Sequence, residues 1–148
     1  MIKIYTDGAC SGNPGVGGWG AIIINKNGKT VDLSGGKNQT TNNQMELMAT
    51  IEALKYFKKK EEIEICTDSK YVKDGVLLWI KKWKINGWRT ANKKLVKNKE
   101  LWIKLDKQIQ RHKIIWKWIK GHSGDRYNEH ADQLARLFAE KNSFNSAA

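Results

Sequence analysis

Two short apolar runs in this chain close on the same pattern. Ile2-Lys3-Ile4-Tyr5 leads into Thr6-Asp7-Gly8, and Ile63-Glu64-Ile65-Cys66 leads into Thr67-Asp68-Ser69. In the first run Ile2 and Ile4 share one face while Lys3 and Tyr5 share the other, the period of a half-buried strand. Each run ends on Thr-Asp plus a small residue, and Gly8 is expected to turn the chain at once. If the two strands are neighbours, Asp7 and Asp68 point into one crevice. Their joint charge then calls for a cation.

The segments around these runs define one domain. Asn13-Pro14-Gly15-Val16-Gly17-Gly18 is a turn-rich loop with the only proline of the chain. Trp19 to Ile24 reads as a second strand. Asn27-Gly28 signals a hairpin, and Val31 to Leu33 returns as a third strand. Gly35 to Thr40 reads as a loop. A helix is expected from Asn43 to Lys59, capped by Thr41 or Asn42, with Leu47, Met48, Ile51, Leu54 and Phe57 on its apolar face. Glu46 lies in its first turn, above an inward-leaning row of Ala49, Ala53 and Phe57. The order strand, helix, strand implies a crossover that pairs the two Asp-ending strands in parallel.

Short helices are expected between Lys70 and Ile85. The next stretch, Lys81 to Lys99, carries eight Lys/Arg and no Asp/Glu, with Trp83 and Trp88 inside it and Trp79 just before. Lysines neutralise phosphates and indole faces stack on sugars or bases, so this reads as a basic protrusion. Asn98 is placed as the cap of a helix to Arg111, with Leu101, Trp102, Leu105 and Ile109 inward. Lys113 to Ile119 alternates as a last strand. Lys120 to Asp125 is a loop. A final helix from Asn128 to Lys141 sets Asp132 in its first turn, and residues 142–148 are expected to fray, leaving 1–141 as a single folded domain.

Charge narrows the function. The 148 residues carry a net charge of +12 and a pI of about 9.7, which makes a polyanion the default partner. Cys10 and Cys66 form no disulfide framework and lack metal-site spacing, so reduced thiols in the cytoplasm are expected. The sequence contains neither an apolar run long enough to span a membrane nor the charged and apolar opening of a signal peptide.

Four carboxylates then need a joint explanation: Asp7, Glu46, Asp68 and Asp132. Clustered without a cation they repel one another and raise each other's pKa. All-oxygen ligation suits Mg²⁺ or Mn²⁺ better than zinc. Two such ions about 3.5–4 Å apart are a known device for phosphodiester hydrolysis, one activating water and one stabilising the leaving oxygen. His122, between two glycines in Gly121-His122-Ser123-Gly124, is the candidate for proton transfer. His112 and His130 read as structural.

These residues carry a resemblance. Thr6-Asp7-Gly8-Ala9-Cys10 with Gly12-Asn13-Pro14-Gly15, Thr40-Thr41-Asn42-Asn43-Gln44-Met45-Glu46-Leu47, Thr67-Asp68-Ser69 with Tyr71-Val72, Gly87-Trp88, Val96-Lys97-Asn98, Lys120-Gly121-His122, Asn128-Glu129 and Ala131-Asp132 follow one another in order. From Met1 to Ala139 the chain resembles a type 1 ribonuclease H of the bacterial kind. The resemblance implies an α/β fold: a five-stranded mixed sheet, three antiparallel strands and then parallel ones, flanked by helices with a basic protrusion. It implies endonucleolytic hydrolysis of the RNA strand of an RNA–DNA hybrid with Mg²⁺, leaving 5′-phosphate and 3′-hydroxyl ends.

The acidic quartet of the family falls on Asp7, Glu46, Asp68 and Asp132, and its mobile histidine on His122. Contacts to RNA fall on Cys10, Asn13, Asn42 and Asn43, a DNA phosphate pocket on Thr41 and Asn98, and a DNA channel on Trp79, Trp83 and Trp88, with Lys81, Lys82 and Lys84 beside it. Gln39 stands where an arginine can occur near the phosphate pocket. The separate hybrid-binding module of many eukaryotic members is expected to be absent, and the protein is expected to act as a monomer. A resolvase or transposase core would use clustered carboxylates too, and a non-catalytic nucleic-acid-binding module would need only the basic stretch. The asparagine-rich helix start and the tryptophan-bearing protrusion favour the hybrid nuclease.

Overall fold

A computed structural model describes the backbone of residues 1–120 and 125–146, and side chains as far as Lys141. Five strands form one mixed sheet in the order β3-β2-β1-β4-β5. They are β1 (Ile2–Gly12), β2 (Gly15–Ile24), β3 (Thr30–Thr40), β4 (Glu62–Thr67) and β5 (Lys113–Trp118). The first three are antiparallel, and β4 and β5 run parallel to β1. Helix α1 (Asn42–Lys55) crosses from β3 to β4. A helical stretch crosses from β4 to β5: α2 (Lys70–Asp74), a π turn (Gly75–Trp79), α3 (Ile80–Ile85) and α4 (Lys99–Arg111). Helix α5 (Arg126–Ser146) closes the chain.

The alternation of the strands decides the layers. Ile2, Ile4, Ala21, Ile23, Ile63 and Ile65 point to one face and pack with Leu47, Ile51 and Leu54 of α1 and Trp102 and Leu105 of α4. Tyr5, Ile22 and Cys66, one residue out of step, point to the other face and pack with Ala131 and Leu134 of α5. Both faces are therefore covered, as the helix–sheet–helix arrangement requires.

Five sequence-based boundaries are corrected. The first strand does not stop at Asp7: it pairs with β2 as far as Gly12, and Gly8 lies opposite Trp19. Gly35 to Thr40 is strand, not loop, with Gly35 opposite Trp19 and Gly36 opposite Gly18. Helix α1 ends at Lys55 rather than Lys59. Helix α5 starts at Arg126 because Asp125 Oδ1 accepts from the amides of Tyr127 (2.9 Å) and Asn128 (3.2 Å). Asp132 thus sits in the second turn rather than the first, and the helical backbone continues to Ser146, past the Lys141 expected as its end.

Candidate active site

The parallel register sets the first half of the site. Strand β1 pairs with β4 from Ile2↔Ile63 to Tyr5↔Cys66. Two residues further on the same register places Asp7 opposite Asp68, beyond the last pair, where β4 has ended and β1 continues with β2 alone. A crevice opens there. This is the position at the carboxyl ends of parallel strands where open α/β sheets place their sites.

Glu46 enters from above because β1 lets α1 come close. A Cβ on Gly8 would lie 2.6 Å from the Glu46 amide nitrogen, so only glycine permits this approach. Thr41 fixes the start of α1, its hydroxyl accepting from the Gln44 amide at 3.2 Å. Asp132 arrives in the same way from the other side. A Cβ on Gly20 would lie 2.6 Å from the Ala131 carbonyl oxygen, so only glycine at this point of β2 lets α5 come so close.

One carboxylate oxygen each of Asp7, Glu46 and Asp68 falls within 4.8 Å of the others. Asp132 is close enough for its carboxyl to interact with that of Asp7, and it also receives Arg136 at 3.0 Å. All four line one cleft of about 400 Å³, together with Asn42, Asn43, Ser69, Lys70, Tyr71, Asn128 and Glu129.

The electrostatics are those of a site short of positive charge. Burial, then the charge of Asp68, pushes Asp7 up to about 7. Glu46 is more deeply buried and, with Asp7 and Asp68 beside it, is raised well above the ordinary range. Its Oε2 atom is buried and has no hydrogen-bond partner among the described residues. Buried polar atoms are nearly always paired, so such an atom calls for a ligand. The donors are hard carboxylate oxygens, and the set fits a hard divalent cation.

Asn42 and Asn43 line the cleft itself, and the other predicted residues are spread over several elements. Asn13 Oδ1 accepts from the Asn42 amide at 3.4 Å, joining the first hairpin to the start of α1. Cys10 donates weakly through Sγ to the Thr40 carbonyl at 3.4 Å. Trp79, Trp83 and Trp88 form a run of rings, with centroids 5.6 and 6.1 Å apart, leaning on buried Trp102. They are half-buried, so each ring is both packing and surface. Lys81 and Lys82 are exposed, whereas Lys84 is held by Asp106 of α4 at 3.1 Å. Gln39 is exposed on β3.

One expectation fails locally. Asn98 stands at the start of α4 but its side chain makes no capping bond; it reaches Gln44 and Tyr71 instead. His122 lies in residues 121–124, outside the described residues.

Sequence reasoning missed Lys70, Tyr71 and Asn128 as lining residues. Asn128 is buried, with Oδ1 lacking a partner among the described residues, and it lies four residues before Asp132. That spacing, one turn apart on one helix face, is the signal that would have found it.

Comparison with known proteins gives a consistent result. The family model for RNase H matches residues 1–140. A Ribonuclease H of Ehrlichia ruminantium (strain Gardel) is 58% identical over 135 residues, covering 91% of this chain and 92% of that protein. A Ribonuclease H of Mesorhizobium japonicum is 59% identical over 136 residues, covering 92% and 76%. Among solved structures, LC9-RNase H1, a type 1 RNase H with the type 2 active-site motif, superimposes with a TM-score of 0.82 at 30% identity, covering 95% of this chain and 72% of that one. LC11-RNase H1, solved in complex with an RNA/DNA hybrid, gives 0.72 at 26% identity, covering 97% and 99%.

Proposed function

The chain belongs to the RNase H family, and from that premise we propose how its own residues carry out the family's reaction. That reaction is the divalent-metal-dependent, endonucleolytic hydrolysis of the RNA strand of RNA–DNA hybrids, leaving 5′-phosphate and 3′-hydroxyl ends. Identity of 58% to ribonuclease H relatives separates the chain from resolvase or transposase cores, with which it would share only a fold.

We assign the metal to Asp7, Glu46, Asp68 and Asp132. Mg²⁺ is the proposed ion, with Mn²⁺ as a substitute and two ions with substrate present. The ions supply Lewis acidity and an activated water for phosphodiester hydrolysis. The carboxylates must shed their protons to take them up, which makes loading pH-dependent. Asn13, Asn42 and Asn43, with Cys10 beside them, face the RNA strand. Their amides can donate to and accept from a 2′-hydroxyl, the group that distinguishes RNA from DNA.

Thr41 and Asn98 take a DNA-strand phosphate. Trp79, Trp83 and Trp88 offer ring faces to the DNA strand, while Lys81, Lys82 and Lys84 meet its phosphates. His122 is proposed to move protons to or from the scissile linkage. Residues 1–141 form the catalytic domain, acting as a monomer in the cytoplasm. No helix among the described residues is long and apolar enough to cross a membrane.

The observation that carries this assignment is the convergence of four carboxylates on one cleft, with buried Glu46 Oε2 left without a hydrogen-bond partner among the described residues. Asp68→Asn tests it. Cleavage of a labelled hybrid should vanish while hybrid binding in the absence of metal stays within about twofold, because the protrusion is untouched. Retained cleavage would remove Asp68 from the site.

A further inference from the structure

Five side chains on four elements form one continuous hydrogen-bonded line beside the cleft. Thr40 Oγ1, at the end of β3, donates to Gln44 Oε1 at 2.7 Å. Gln44 Nε2, in the first turn of α1, donates to Asn98 Oδ1 at 3.1 Å. Asn98 Nδ2 donates to the Tyr71 hydroxyl of α2 at 3.1 Å, and Trp102 Nε1 of α4 donates to the same oxygen at 3.0 Å.

Asn98 gives up local stability to join this line. Its backbone is left-handed, φ 61° and ψ 27°, and its side chain makes no cap bond although asparagine is among the best capping residues. The amide is gripped at both ends instead. Gln44 occupies Oδ1, and Tyr71 takes one Nδ2 hydrogen. The second Nδ2 hydrogen is then the group left to bind a ligand. Asn98 lines a hollow of about 490 Å³ together with Lys37, Lys99 and Lys104, three cations against the one carboxylate of Glu100, surroundings that suit an anion. Tyr71, at the other end of the grip, lines the carboxylate cleft.

We propose that Gln44 and Tyr71 are positioning residues that orient the Asn98 amide toward a DNA-strand phosphate and hold it in fixed relation to the carboxylate cleft. The proposal rests on the reading of Asn98 as a phosphate contact. Gln44 and Tyr71 each act through Asn98. Their loss should therefore weaken capture of the hybrid rather than slow its chemistry.

Steady-state cleavage of a labelled hybrid by the full chain in Mg²⁺ tests this with four variants. Asn98→Ala should raise KM about tenfold, the size of a charge-assisted hydrogen bond. Gln44→Met keeps the side-chain length and removes both hydrogen bonds. Tyr71→Phe keeps the ring contacts with Trp79 (5.7 Å) and Trp102 (5.1 Å) and removes only the hydroxyl. Each should raise KM about fivefold, with the effect on KM rather than kcat. The double variant Asn98→Ala/Gln44→Met should be no worse than Asn98→Ala alone, since Gln44 acts only through that amide. If Asn98→Ala leaves KM unchanged, the phosphate reading itself fails and takes the proposal with it. If Asn98→Ala raises KM but Gln44→Met and Tyr71→Phe do not, or the double variant shows the full sum of both effects, the positioning role alone is overturned.

Discussion

Two buried polar places lie at opposite ends of the sheet, and they are built in opposite ways. At the start of β4 and β5, His112 is 6% exposed and both ring nitrogens are engaged: Nδ1 accepts from the Glu61 amide at 3.1 Å, and Nε2 lies 3.2 Å from the Leu54 carbonyl, to which it donates. Phe57 packs edge-on against the ring. At the other end, Asp7 and Glu46 are as deeply buried, yet like charges crowd them and Glu46 Oε2 has no partner among the described residues. The first place is complete and joins the end of α1 to α4 and β4. The second is incomplete, and burying charge without a partner is costly. The contrast teaches where stability is made and where it is given up for a ligand.

The sharpest way to break that contrast is to neutralise each place in turn. Asp7→Asn should lower kcat more than about 1,000-fold, because several kcal/mol of metal-borne catalysis depend on that carboxylate. The same change should raise the stability of the metal-free protein by about 1–2 kcal/mol, since it relieves repulsion. A metal-free chemical denaturation curve and a hybrid cleavage assay read the two effects. His112→Ala should do the reverse, costing about 2–4 kcal/mol of stability through two lost hydrogen bonds and a cavity. Its kcat per folded molecule should hold within about twofold. A loss of stability in Asp7→Asn, or a loss of kcat in folded His112→Ala, would dissolve the distinction.

The smallest effect is the trend with pH, and the two places should pull against each other. Asp7 is raised from 3.8 to about 7, so over that range the metal-free native state holds a proton that the unfolded chain has released. Its contribution to stability is full below about pH 4 and is lost as pH rises through about 7. His112 is lowered from 6.5 by burial, so the unfolded chain takes up its proton first. That contribution is full at higher pH and is lost as pH falls below about 6.5. Mg²⁺ should therefore raise the melting temperature more at pH 8 than at pH 5.5, because metal binding no longer competes with protons. Equal shifts at the two pH values would mean that the ions bind elsewhere.

Much of this arrangement was legible in the residues. The period-2 alternation of Ile2, Ile4, Ile63 and Ile65 gave the strands, and the shared Thr-Asp endings pointed to one crevice because a parallel register preserves their alignment. What stayed hidden depended on tertiary contact. Gly35 and Gly36 read as loop, yet they pair in the sheet and are glycine because the Trp19 and Phe138 side chains would collide with anything larger. Asp125 read as part of a loop, yet it caps α5, which starts two residues earlier than expected and carries Asp132 in its second turn. Asn98 read as a helix cap, but partners 54 and 27 residues away in sequence outcompete the local bond. The tryptophans read as a nucleic-acid surface; the structure shows they are also the base on which the protrusion rests.

The direct test is the anomalous scattering of Mn²⁺ in crystals grown with the metal and a hybrid of a non-cleavable RNA strand. The account predicts manganese within about 2.0–2.3 Å of carboxylate oxygens of Asp7, Glu46 and Asp68, with Asp132 ordering a second ion. Manganese bound only outside that cleft, in crystals whose enzyme cleaves ordinary hybrids in the same buffer, would contradict it.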